Sequence, residues 1–218
     1  MKTDLINTGV LALTFISLFI VSELFYHFCR LQVELTRKLV HTGTGLITLF
    51  FPVMLSNHWF VLLLCGSFML LLWLSLKFGF LNSINAIERK SAGSMLYPVS
   101  VYICYLAFQL HYNYLHFYLP ILILAICDPI AALTGKKWPK GKYNVGNDTK
   151  TLVGSGMFFL SAILLCHLLF ILLTINISAT AVFFIAFVSC LTEALSKNGY
   201  DNLTIPIAVL LVLYLFPL

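Results

Sequence analysis

Three carboxylates and a cluster of lysines sit where an apolar chain has little use for them. Asp128 lies inside an apolar run and is followed by Pro129; Glu193 closes another run, and Asp201-Asn202 opens the next. An ionised carboxylate at membrane depth costs at least ~2.5 kcal/mol, so it faces a protein interior and has a partner. Carboxylates held together in such a place bind a divalent cation or accept a proton. Mg²⁺ bound with nucleotide phosphates takes one or two carboxylates and several waters, which suits Asp128, Glu193, Asp201 and Asn202 as a metal set. A plainer reading of Asp128 is a kinked helix whose Asp pairs with a nearby Lys, and of Asp201 and Asn202 an N-cap.

Between these groups lies a basic, glycine-rich stretch. Gly135, Lys136 and Lys137 begin it; Lys150-Thr151-x-x-Gly154-Ser155 ends it, and loop 135–150 holds five lysines against Asp148. Lysines alone would serve as a topology anchor on anionic lipid. Glycines allow close backbone approach, and a helix N-terminus at Gly154-Ser155 offers amides to phosphate. The stretch has no G-x-x-x-x-G-K-[ST] pattern. The second span begins Arg37-Lys38-x-x-His41, and Arg37, His41, Thr44, Gly45 and Thr48 recur at helical spacing as a further polar-and-small stripe. Small residues there also suit helix packing, and His41 could be a satisfied interior histidine. Arg89 and Lys90 precede Gly93-Ser94 as either a charged loop or a further phosphate contact.

The elements that position these groups are membrane helices. The chain has 218 residues, 61% hydrophobic and 10% charged, with mean hydropathy +0.98; a soluble domain carries about 25% charged residues. A nucleic-acid polymer is not an expected partner. Spans of about 20 apolar residues fall near 7–26, 37–55, 59–78, 94–110, 115–134, 152–174, 178–196 and 202–217. The expectation is a single all-α domain over 1–218, a polytopic helical bundle of about eight transmembrane helices. Of the 13 Lys and Arg, all but Lys2 fall at or between alternate spans. The positive-inside rule then puts loops such as 135–150 in the cytoplasm and both termini outside. The acidic residues, Asp4 excepted, gather on the same side. The six cysteines have no metal or disulfide spacing and read as small buried hydrophobes.

Taken together, a soluble phosphate donor and a membrane-dissolved acceptor meet at the cytoplasmic boundary. The ordered motifs Arg37-Lys38-x-x-His41, Gly93-Ser94-Met95-Leu96-Tyr97, Asp128-Pro129-Ile130-Ala131-x-x-x-Gly135, Lys150-Thr151-x-x-Gly154-Ser155 and Glu193 followed by Asp201-Asn202-x-x-x-Pro206 resemble the polyprenol, dolichol and phytol kinases, including the CTP-dependent diacylglycerol kinases. Relatives often carry Gly-Asp where Cys127-Asp128 stands here, and Arg where Lys136 stands; neither change removes the charge. The resemblance implies a nucleotide-dependent, CTP-preferring kinase of a membrane lipid alcohol, with Mg²⁺ or another divalent cation. Its catalytic residues would be Asp128, Glu193 and His41. Arg37, Lys38, Arg89, Lys90, Gly135, Lys136, Lys137, Lys150, Thr151, Gly154 and Ser155 would hold the nucleotide phosphates. A cytidylyltransferase forming a CDP-lipid uses similar parts, and a carrier for an anionic solute is a further alternative.

Overall fold

A computed structural model of the protein describes residues 2–85, 91–146, 148–175 and 177–216. Helices dominate it: α1 (Lys2–Phe28), α2 (Val33–Thr48), α3 (Phe51–Met54), α4 (His58–Phe78), α5 (Asn82–Asn85), α6 (Gly93–His111), α7 (Leu115–Leu122), a π-helical turn (Ile123–Cys127), α8 (Asp128–Lys137), α9 (Leu152–Leu172), α10 (Ala179–Leu195) and α11 (Asp201–Leu215). Their boundaries follow local chemistry. Asn57 caps α4 by accepting from Trp59 N, and Gly79, at φ 70°, ends it. Thr151 and Ser178 cap α9 and α10 in the same way.

Among the described residues, five helices are long and apolar enough to cross a membrane: Lys2–Phe28, His58–Phe78, Gly93–His111, Leu115–Lys137 and Leu152–Leu172. The apolar helices α10 and α11 are shorter. Large hydrophobic side chains such as Leu13, Leu70, Leu164, Ile171 and Leu211 cover the outside, as lipid-facing surfaces require and water-facing ones do not. The chain is a helical membrane bundle. The expected second span, 37–55, divides into α2 and the short α3; the other long helices lie close to their expected ranges.

The α7–α8 rod is the axis of the bundle. Two thirds (67%) of its 18-residue apolar stretch is buried, against 28–33% for the corresponding stretches of the other four long helices. Leu115, Phe117, Leu119, Ile121, Ile123, Leu124, Ala125 and Cys127 are sealed all round its circumference. A helix that is apolar on every side belongs inside other helices. Its turns pack on α2, α6, α9 and α11. α2 differs from the rest: one face carries Arg37, Lys38, His41, Thr44 and Thr48, which points inward at a cavity rather than out at lipid.

The basic stretch expected as a loop contains a hairpin. β1 (Lys142–Val145) and β2 (Asp148–Thr151) pair antiparallel, with Val145 opposite Asp148 across a two-residue connection that begins with Gly146 at φ 60°. Gly-Asn between two short runs is a hairpin signal. The hairpin folds back on the bundle: Tyr143 Oη and Ser155 Oγ lie 2.6 Å apart, and Asn198 N donates to Asp148 Oδ2 at 2.6 Å. All six cysteines are free thiols, five of them buried or half-buried and Cys29 exposed.

Candidate active site

Proline 129 shapes the site before any charged group does. It has no N–H and cannot donate within its helix. In an α register this leaves the Ala125 carbonyl without its donor; in the π register, which bonds five residues apart, it leaves that of Leu124. Both carbonyls lie at fully buried residues, where an unpaired acceptor is costly. α2 supplies both partners: Thr42 Oγ1 donates to Ala125 O at 2.9 Å and His41 Nε2 to Leu124 O at 3.0 Å. Gly45 lets α2 come this close, since a Cβ there would run into the Ala125 side chain and sit 2.8 Å from Tyr97 Oη. Asp128, the residue that follows the π-helical turn, faces α2.

Asp128 is 7% exposed and takes a salt bridge from Lys38, Nζ to Oδ2 at 2.7 Å, with His41 Nε2 3.8 Å from the same oxygen. The ring of Tyr97 meets the His41 ring edge-on, 4.9 Å between centroids. The lysine partner foreseen for a kinked helix is therefore present, supplied by α2 rather than by the basic loop. His41, expected among the catalytic groups, lines the cavity, with Nε2 donating to Leu124 O and lying 3.8 Å from Asp128 Oδ2.

The second carboxylate is mounted through the hairpin. Lys150 on β2 reaches across to Glu193 near the end of α10, Nζ to Oε1 at 2.7 Å, and also donates to the Glu193 carbonyl. A cation at a helix C-terminus is favourably placed. Glu193 Oε2 is buried and has no hydrogen-bond partner among the described residues. Asp201 and Asn202 start α11; Asp201 Oδ1 accepts from Asn202 N at 3.0 Å, and Ser100 Oγ donates to Asn202 O. The cap reading of Asp201 does not hold: the N-cap position is Tyr200, without a side-chain cap hydrogen bond, and Asp201 is the first residue of the helix. α6 docks here through Gly93, where a Cβ would collide with Asn202 Nδ2.

The glycines of the basic motif have a reason that the sequence did not disclose. A Cβ on Gly135 would sit 2.6 Å from Thr151 Oγ1 and 3.4 Å from Gly154 Cα; one on Gly154 would sit 2.9 Å from Ala131 O. The two glycines press α8 and α9 together. The Gly154 amide, expected to be open to phosphate, is taken by Thr151 Oγ1 at 3.0 Å, and the Ser155 hydroxyl is met by Tyr143. These residues position the hairpin lysine.

One cavity of about 670 Å³ gathers Arg37, Lys38, His41, Asp128, Gly135, Lys136, Lys150, Thr151, Gly154, Ser155, Glu193, Asp201 and Asn202. Lys137 is not among its walls; it is exposed, with Nζ 4.6 Å from the centre of the Trp138 ring. Arg89 and Lys90 lie outside the described residues. Ser94, Lys142, Asp148 and Thr149 also line the cavity and were not foreseen as site residues; the Gly-Asn pair at 146–147 in the sequence was the available signal for the last three. On α2 the wall runs from Arg37 to Thr48, eleven residues or about 16 Å at 1.5 Å each, about half of a hydrocarbon core. Apart from the charged groups and Thr44 and Thr48, the lining is largely apolar, with Phe15, Phe19, Leu64, Phe68, Leu72 and Val101.

Among the described residues no three His, Cys, Asp or Glu side chains come together as a protein-only metal cage. The unpartnered Glu193 Oε2, with Asp128 on the same cavity, fits an ion that takes one or two carboxylates and leaves its other positions to water and phosphate.

No family model and no solved structure matches the chain significantly. A phytol kinase from Synechocystis sp. is 27% identical over 214 residues, 95% of this chain and 90% of its own length. That similarity over nearly the whole chain supports the polyprenol and phytol kinase family, the same family that the ordered motifs resemble.

Proposed function

We propose that this protein is a nucleotide-dependent kinase of a membrane lipid alcohol. A single observation carries the reading: one cavity is lined with lysines and carboxylates at one end and with aromatic and aliphatic side chains at the other. A triphosphate suits the first end and a hydrocarbon chain the second, and their reacting groups meet near Asp128, His41 and Tyr97. The similarity to a phytol kinase favours an isoprenoid alcohol as acceptor; polyprenols and diacylglycerol belong to the same class of substrate. CTP is the donor that the family resemblance favours.

The chemistry is a phosphoryl transfer. The lipid hydroxyl oxygen bonds to the γ-phosphorus, the bond from that phosphorus to the β–γ bridging oxygen breaks, and a nucleoside diphosphate leaves. Such a reaction asks mainly for alignment and charge neutralisation. Lys38, Lys136 and Lys150 neutralise phosphate oxygens, with Arg37 at the same wall. Asp128, held by the α2 contacts, receives the hydroxyl proton. Mg²⁺ would be held by Glu193 and Asp128, with Asp201 and Asn202 beside them, and would offset charge on the phosphates. Eight membrane-crossing helices, both termini outside and the basic hairpin in the cytoplasm put the polar end where nucleotide is available.

Purified protein incubated with CTP, ATP or UTP and a panel of phytol, a long polyprenol and diacylglycerol tests this reading. A lipid monophosphate together with a nucleoside diphosphate is the expected product pair. Pyrophosphate release with a CDP-lipid would assign the chain to cytidylyl transfer instead.

A further inference from the structure

The groups suited to phosphate and the groups suited to a cation are, in this structure, bound to each other. Lys38 holds Asp128 and Lys150 holds Glu193, each at 2.7 Å. All four side chains are at most 16% exposed, and all four face the cavity. Charges so poorly solvated need partners. A cation entering alone meets carboxylates already neutralised by ammonium groups. A polyphosphate entering alone would draw the lysines off and strand two buried carboxylates. The oxygen Glu193 Oε2, buried and without a hydrogen-bond partner among the described residues, marks where a cation first gains a contact.

We infer that donor and cation load by lysine exchange: Lys38 and Lys150 pass from Asp128 and Glu193 to phosphate oxygens, and the carboxylates so released take the cation. No covalent bond changes; the ammonium groups keep their protons and change acceptors. Each ligand then raises the affinity for the other by the same factor, as linkage requires. The phosphate half of this exchange rests on the kinase reading, whereas the cation half rests on the two ion pairs alone.

The test is Mn²⁺ binding to the purified protein without nucleotide, followed by electron paramagnetic resonance. Lys150→Gln and Lys38→Gln each remove an ammonium from a carboxylate, so each is expected to tighten Mn²⁺ binding by about tenfold or more. The same variants are expected to weaken nucleotide binding, read by calorimetry. Unchanged or weaker Mn²⁺ binding in a folded variant would overturn the exchange, because the freed carboxylate would then not be reaching the cation. A measurement on the unaltered protein needs no variant. Whichever of CTP or ATP supports turnover is titrated in chelator and then in Mg²⁺; the exchange predicts at least about tenfold tighter binding with Mg²⁺, and equal affinity overturns it. Lipid phosphorylation by the unaltered protein reports separately on the kinase reading: its absence would retire that reading while leaving the Mn²⁺ result to judge the exchange.

Discussion

Replacing Thr42 with valine removes one hydroxyl and almost no volume, and so isolates the contact that completes the bend before Asp128. Thr42 Oγ1 donates to Ala125 O at 2.9 Å, and Pro129 has no N–H with which to replace it. Ala125 is fully buried, so its carbonyl would lose a partner where water does not reach. Leaving such a group unpaired costs about 1–3 kcal/mol. If the helix keeps its shape, that cost appears as lost stability, a shift of a few degrees in the melting temperature of the detergent-solubilised protein. If the helix relaxes to find another donor, Asp128 and the His41 contact to Leu124 move with it. A displacement near 1 Å at a reacting group costs up to about a hundredfold in turnover. Thr42→Val is expected to lower kcat by tenfold or more, with smaller changes in either KM. Thr42→Ser, which restores the hydroxyl, is expected to recover it. Steady-state kinetics with each substrate varied in turn, alongside thermal unfolding, measures both. Unaltered kcat and melting temperature in Thr42→Val would refute the argument that α2 holds the bend.

Three further outcomes follow. Asp128→Asn keeps shape and loses charge, leaving Lys38 without its ion-pair partner; turnover should drop by orders of magnitude with insertion intact, and near-normal activity would reduce Asp128 to a helix-bend residue. Gly154→Ala places a Cβ 2.9 Å from Ala131 O, an overpacking of about 1–3 kcal/mol that pushes α9 and the hairpin away from α8; nucleotide KM should rise more than lipid KM, and unchanged nucleotide kinetics would detach the hairpin from the site. Lys140→Cys in a Cys29→Ser background, which removes the exposed native thiol, should react with a membrane-impermeant maleimide only from the cytoplasmic side; labelling only from outside would invert the orientation.

The helices were legible in the sequence because a hydrocarbon core accepts only long apolar segments with internally paired backbones. The polar stripe of α2 was legible for a related reason: Arg37, His41, Thr44 and Thr48 recur at helical spacing in a segment that runs on into apolar residues. Asp128, Glu193, Asp201 and Asn202 stood out as polar groups at the membrane boundary, and the structure brings all four to one cavity. What the sequence withheld depends on contacts between distant residues. That Lys38 would face Asp128 and Lys150 would face Glu193 is set by how α2 and the hairpin dock, not by spacing along the chain. Gly135 and Gly154 read as room for phosphate and turn out to be room for each other's helix. Lys136 and Lys137 are adjacent and alike in sequence, yet the final turn of α8 aims one at the cavity and the other at Trp138. The hairpin was hidden because charged side chains on short strands break the apolar alternation by which strands are read.

The central claim is that the polar end of the cavity passes a terminal phosphoryl group to an alcohol lodged in the apolar end. Following the label from CTP carrying one isotope in the α-phosphate and another in the γ-phosphate, with purified protein and phytol, tests it most directly. The account predicts γ-label alone in the lipid product and α-label alone in the released nucleotide. Appearance of α-label in the lipid, or no lipid product with any nucleotide and any alcohol of the panel, would contradict it.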